Sequence, residues 1–160
     1  MTPDTPRIHV GIISDTHGRL RPEAVAALRG SDILIHAGDV GDPEVLERLR
    51  GIAPTFAVRG NVDTGPWAAA LPSTEVVEVG GLQIYVLHNL GDLDLDPRAA
   101  GFAAVISGHT HRPLAEARGD VLYLNPGSAG PRRFSLPVAV ARLEVSGPRI
   151  VSHEILELRV

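Results

Sequence analysis

The 160-residue chain is 44% hydrophobic with a formal net charge of −4, enough apolar content for a core without staples and no basic excess of the kind a generic nucleic-acid binder shows. It has no cysteine, and all fifteen basic residues are arginine, which excludes disulfides, thiolate nucleophiles, Cys-ligated zinc, a lysine-dependent phosphate loop and Schiff-base chemistry. No apolar run reaches membrane-spanning length and the polar start MTPDTPR lacks the regions of a signal peptide, so a cytoplasmic protein without a membrane partner is expected.

Residues 1–6 read as a flexible tail on one domain covering 1–160. Residues 7–14 then read as a buried strand carrying Ile8, Val10, Ile12 and Ile13. Residues 22–29 form a predicted short helix with Pro22 in its first turn, and 33–37 a second strand. Residues 43–50 form a second helix with Asp42 as its N-cap, followed by a strand at 55–59. This alternation favours a parallel sheet with right-handed crossovers. Strands dominate the rest of the chain. Segments 74–79 and 82–88 flank the hairpin signal Gly80-Gly81. A short strand is expected at 103–107. Segments 114–118 and 121–125 flank Gly119-Asp120, and 138–145 and 149–158 flank Ser146-Gly147-Pro148. The expected fold is α/β: two mixed β-sheets packed face to face with helices outside, an αββα sandwich.

The functional signal lies in the polar residues just beyond the strands. Asp15 and His17 follow the first, Gly38 and Asp39 the second, and Gly60 and Asn61 the third. His88 closes the 82–88 strand, and Gly108, His109 and His111 come directly after 103–107. In open α/β sheets the ligand crevice lies beyond the carboxyl ends of the strands, so these polar residues should converge on one edge. In extended loops residues i and i+2 share a side, which would pair Asp15 with His17 and His109 with His111. Gly18, Gly38, Gly60 and Gly108 would allow tight turns and close backbone approach. Mixed imidazole and carboxylate donors suit Mn, Fe, Zn or Ni better than Ca. Seven candidate ligands are too many for one tetrahedral ion and enough for two that share a carboxylate.

SDTHG at 14–18, HAGD at 36–39, RGNVD at 59–63, LH at 87–88 and GHTH at 108–111 resemble the calcineurin-like metallophosphoesterases. NPGS at 125–128 points to their small single-domain prokaryotic phosphodiesterase branch, and the resemblance runs from about Ile8 to Arg133. It implies a two-sheet sandwich and a dinuclear centre, with manganese the first choice of metal. Carried over by motif, Asp15, His17 and His111 would hold one ion, Asn61, His88 and His109 the other, and Asp39 would bridge them. A hydroxide bridging the two ions would attack phosphorus in line. Asp39, Asn61 and His109 are the residues implied to act on the reacting group. The implied substrate is a small phosphodiester, with no stable nucleic-acid complex; homo-oligomerisation is left open.

Three features depart from the family pattern. Val62 stands where many larger relatives carry a proton-donating histidine, Asn89 where glycine usually follows His88, and only residues 89–102 separate His88 from the next strand, which shortens one wall of the site. Other polar residues receive structural readings. His36 reads as a hydrogen-bonded core histidine, His9 and His153 as structural or exposed, and Asp63 as a turn cap or a support behind the ligands. Arg112, Arg132 and Arg133 read as exposed arginines in preference to phosphate contacts. Asp92, Asp94 and Asp96 read as a solvated loop, because Pro97 stands where a calcium loop needs glycine. The competing functions are a phosphomonoesterase on the same site and a non-catalytic binding scaffold of the same fold. The intact Asp15-His17 and His109-His111 pairs favour catalysis.

Overall fold

The computed structural model describes residues 6–160; the tail expected at 1–6 lies outside the described residues except for Pro6. Ten strands form two five-stranded sheets. The first contains β1 (Arg7–Ile13), β2 (Ile33–His36), β3 (Thr55–Ala57), β9 (Ala139–Ser146) and β10 (Arg149–Glu157), in the order β10-β9-β1-β2-β3. The second contains β4 (Thr74–Val79), β5 (Leu82–Leu87), β6 (Phe102–Ile106), β7 (Leu114–Arg118) and β8 (Val121–Asn125), in the order β4-β5-β6-β8-β7. β1, β2 and β3 run parallel, as do β5, β6 and β8. Antiparallel strands complete each sheet, so both are mixed, as expected.

Alternation along the strands sorts side chains between layers. Val10 and Ile12 of β1 join Ile35, Ile84, Val86, Ile106, Leu124 and Leu143 in the core between the sheets. Ile13 and Leu34 face the other way, against Leu28 of α1 (Pro22–Leu28) and Val45, Leu46 and Leu49 of α2 (Pro43–Arg50). Gly11 lies on this outer face with the Leu28 and Leu34 side chains so close that an added Cβ would stand 2.6 Å from Leu34. Both helices carry proline at their start, and Asp42 caps α2 by accepting from the Glu44 N–H at 2.9 Å.

The second sheet's outer face is covered differently. Two four-residue helices lie outside the elements expected from the sequence: α3 (Pro66–Ala69), whose Trp67 packs with the first sheet's outer cluster instead, and α4 (Pro97–Ala100), beside β6. Leu90, Leu93 and Leu95, from the segment that leads to α4, pack with Tyr85, Leu87, Val105, Val121 and Tyr123 on that face. The long helices therefore lie on the first sheet only. No helix among the described residues is long and apolar enough to cross a membrane.

Candidate metal centre

Parallel strands in both sheets deliver their carboxyl ends to one edge, and backbone hydrogen bonds lock the loops there together. The Asp15 and His17 N–H groups donate to the Gly38 and Asp39 carbonyls, both at 3.0 Å, joining the loops after β1 and β2. The Gly108 N–H donates to the His88 carbonyl at 2.9 Å, joining the loops after β5 and β6. The Ala129 N–H donates to the Ser14 carbonyl at 3.0 Å, which adds the loop after β8. Two close approaches need glycine: a Cβ on Gly60 would stand 2.1 Å from Asp39 Oδ1, and one on Gly108 2.1 Å from Ser14 Oγ and 2.6 Å from Asp15 Oδ2.

The extended-loop expectation is corrected. Asp15, His17, Asp39, His109 and His111 have φ of 56°, 48°, 56°, 73° and 63°, in the left-handed region. Among the described non-glycine residues only Phe134 shares this conformation. Such backbone is costly for residues with a Cβ and concentrates at functional sites, where surrounding bonds hold it. The turns still bring Asp15 and His17 together, with His17 Nε2 3.9 Å from Asp15 Oδ1. They send His109 and His111 apart. His111 faces the Asp15 side at 3.3 Å, whereas the His109 ring meets the His88 ring edge-on, with centroids 5.2 Å apart.

The two carboxylates are prepared alike. Oδ2 of Asp15 accepts from Ser14 Oγ at 2.7 Å and from the His109 N–H at 3.1 Å, and Oδ1 has no hydrogen-bond partner. Oδ1 of Asp39 accepts from the Val62 N–H at 3.1 Å, while Oδ2 lies 3.3 Å from His88 Nε2 and 3.6 Å from His17 Nε2. The Nδ1–H of His88 donates to the Ala37 carbonyl at 2.8 Å, which leaves Nε2 as a lone-pair donor without a partner. His17 Nε2 is likewise buried and unpartnered. Buried polar atoms are rarely left unpaired, and a histidine tied to a backbone carbonyl through its other nitrogen is how metal ligands are oriented. The donor set fits divalent cations. Two trios each keep one donor atom per residue within 4.8 Å of the others: Asp15, His17 and His111, and Asp15, Asp39 and His88. Asp15 is common to both trios by this measure. His109 belongs to neither; it and Asn61 are exposed and line a cleft that His88 also borders.

The electrostatics match. Burial pushes the Asp15 carboxyl above its usual range, against the opposing effects of the Ser14 hydroxyl, His88 and His111. Burial would raise Asp39 as well, but the adjacent His88 ring and the Val62 N–H outweigh it and hold Asp39 at about 2. Burial works against protonation of His88, but Asp39, the Ala37 carbonyl and Asp15 overcome it and raise its proton affinity. A cation would relieve that same unbalanced negative charge. His111 is lowered by burial, with the Arg133 guanidinium adding to the effect.

Behind the candidate ligands stands a frame that the motifs indicate only in part. Asp63, 4% exposed, accepts three backbone N–H groups: Val40 at 3.1 Å and Gly60 at 2.9 Å on Oδ2, and Gly41 at 2.8 Å on Oδ1. It pins the loop carrying Asp39 to the loop carrying Asn61. Asn125, at the end of β8, donates to the Gly108 carbonyl at 2.9 Å and to Thr110 Oγ1 at 3.1 Å, bracing the turn that bears His109 and His111. Ser128 Oγ donates to the Asp15 carbonyl at 3.1 Å. Ser14, Asn125 and Ser128 sit inside the quoted motifs, but nothing in the sequence marks their supporting roles. His36 is a fully buried core residue. Its Nδ1 accepts from the Gly38 N–H at 3.1 Å, which makes Nε2–H the donor to Thr16 Oγ1 at 3.0 Å. His9 and His153 are exposed or nearly so, as are Asp92 and Asp94. Asp96 is exposed too, and it also caps α4 by accepting from the Arg98 and Ala99 N–H groups.

Residues 8–147 match the calcineurin-like phosphoesterase superfamily domain, and the chain belongs to that superfamily. It is 39% identical to a probable metallophosphoesterase of Methanocaldococcus jannaschii, over 74% of this chain and 67% of the relative. It is 28% identical to the phosphodiesterase YfcE of Escherichia coli, over 82% of this chain and 84% of that protein. The vacuolar protein sorting 29 structure from Cryptosporidium parvum superimposes with a TM-score of 0.81 at 22% identity, covering 96% of this chain and 92% of that one, which is a likeness of fold. The chain is therefore a hydrolytic, metal-dependent phosphoesterase of the small archaeal and bacterial kind.

Proposed function

We propose that the protein is a cytoplasmic phosphodiesterase working with two divalent ions, manganese by first preference and iron, zinc or nickel as alternatives. One observation carries this reading: two buried carboxylates each use one oxygen on a hydroxyl or backbone N–H and turn the other toward the unpartnered Nε2 atoms of His17 and His88. Asp15, His17 and His111 would hold one ion, Asn61, His88 and His109 the other, with Asp39 between them. When bound, the pair of ions would supply the nucleophile, as a hydroxide bridging them, and offset charge on the phosphate.

The chain's own residues set the rest. Asn61 is neutral, so with only Asp15 and Asp39 as anionic donors the centre stays positive toward an anionic ester. Asp39, Asn61 and His109 are the residues assigned to act beside the reacting phosphate. Val62 is 44% exposed beside Asn61, and its side chain has no proton to give a departing alkoxide. A positioned general acid contributes on the order of 10²–10⁴-fold, so the protein should favour esters whose leaving group departs unprotonated. The E. coli relative named a phosphodiesterase supports the diester preference.

The test compares kcat/KM on an aryl phosphodiester with that on the matching monoester across several leaving groups. The diester is expected to be the better substrate, and Val62→His to help poor leaving groups more than good ones. A monoester preference throughout would replace this reading with a phosphatase.

A further inference from the structure

A cleft of about 600 Å³ opens beside the candidate centre, with Asn61, His88 and His109 on its wall. The rest of the wall comes from parts of the chain that the proposed chemistry leaves unused: Arg59 from the loop after β3, Ser73 and Thr74 where β4 begins, and Asn89, Asp92 and Asp94 after β5. The last three owe their place to packing. Leu90, Leu93 and Leu95 are anchored on the outer face of the second sheet, so the alternating Asp92 and Asp94 turn outward to the cleft.

Among the described residues Arg59, Asp92 and Asp94 have neither an ion pair nor a side-chain hydrogen bond. Asn89 uses its Oδ1 on the Gly91 N–H at 2.9 Å, which leaves its NH₂ as a free donor. His88, 6% exposed, borders the same wall and ties the cleft to the proposed centre, so a phosphodiester bound at the ions would reach these groups with one ester arm.

Resting on the diesterase reading above, we propose that this cleft receives one ester group of the phosphodiester. It selects a group that carries hydrogen-bond donors, a hydroxyl or an ammonium, and rejects a second anionic group. Ionised carboxylates only accept hydrogen bonds, so Asp92 and Asp94 call for O–H or N–H groups on the ligand. Two carboxylates against one guanidinium leave the charged side chains that the proposed ions do not use net negative. A ligand carboxylate or second phosphate there meets like charge, which is how specificity is built by exclusion. Arg59 and the Asn89 amide donate only, which suits the ester and phosphoryl oxygens of the same ligand. Exposed charge pairs contribute modestly, so two carboxylates give about tenfold discrimination.

The test uses alkyl methylphosphonates, whose phosphonate group carries one negative charge and whose single ester group is a poor alkoxide leaving group, with the ligand checked for hydrolysis after each titration. Methyl, 2-ammonioethyl, 2,3-dihydroxypropyl and 2-carboxyethyl esters are titrated calorimetrically into the manganese-loaded protein. The ammonioethyl and dihydroxypropyl esters should bind about tenfold more tightly than the carboxyethyl ester, with methyl between them. In Asp92→Asn/Asp94→Asn the ammonioethyl preference over carboxyethyl should largely collapse; if the double variant fails to fold, each single variant should reduce it in the same direction. Equal affinities for all four esters, no binding of any, or a preference unchanged in the variants overturns the proposal. Turnover of an aryl diester is measured beside it. Predicted binding order without diester turnover keeps the cleft and rejects the diesterase reading; turnover with a flat order does the reverse.

Discussion

The backbone N–H of Val62 donates to Oδ1 of Asp39 at 3.1 Å, so the residue that replaces a proton-donating histidine still aims a carboxylate at the site. Oδ2 is thereby left to face His88 and His17. Asp39→Asn removes a negative charge from between the proposed ions and should weaken both together. The loss should exceed the roughly 10–100-fold that removing a supporting contact costs. Asp15→Asn should weaken mainly the ion held with His17 and His111. Metal titrations of the two variants check this; Asp39→Asn retaining two ions at normal affinity contradicts the bridging role.

Asp63 offers a different kind of test, because it acts through other residues. Asp63→Ala strands the buried N–H groups of Val40 and Gly60 and frees that of the exposed Gly41, and should cost on the order of 2 kcal/mol or more of stability. Metal affinity should fall by about 10–100-fold as the Asp39 and Asn61 loops loosen. Asp63→Asn, which keeps an acceptor oxygen, should recover part of both. Urea denaturation and metal titration on the same preparations read the two effects, and normal metal affinity in a folded Asp63→Ala protein would count against a positioning role.

His36 links the frame to pH. Burial lowers it to about 4 in the folded chain from its ordinary 6.5, so the neutral ring is the one that fits between Gly38 and Thr16. Between those values the unfolded chain binds the extra proton, so stability is fully present above 6.5 and is lost as pH falls toward 4. Relative to His36→Gln, the wild type should lose roughly 2 kcal/mol on going from about pH 7 to about pH 5. Denaturation curves at both values decide it, and parallel losses in the two proteins contradict the assignment.

The sandwich and the placement of the candidate ligands are legible in the sequence because both rest on local pattern. Alternating Val10, Ile12, Ile35 and Ile84 mark strands buried against each other, and a polar residue just beyond each strand marks the shared edge. Asp42 before Pro43 announces α2, and the same signal, Asp96 before Pro97, stands before α4 but is masked by the acidic run that contains it. A four-residue helix buries too little to leave a periodicity, which also explains why α3 has no signature of its own. The left-handed backbone at Asp15, His17, Asp39, His109 and His111 is not readable, since nothing in those side chains favours it strongly; the surrounding bonds impose it. Asp63 and Asn125 act on loops distant in sequence, which only the folded register brings within reach.

The dinuclear centre is tested most directly by counting metal in the purified protein and following activity through its removal and return. Elemental analysis should find about two divalent ions per chain, and an aryl phosphodiester should cease to be hydrolysed after chelation and be hydrolysed again when manganese is restored. A protein that binds no divalent ion under any loading condition, or that hydrolyses the ester equally well in excess chelator, would contradict the account.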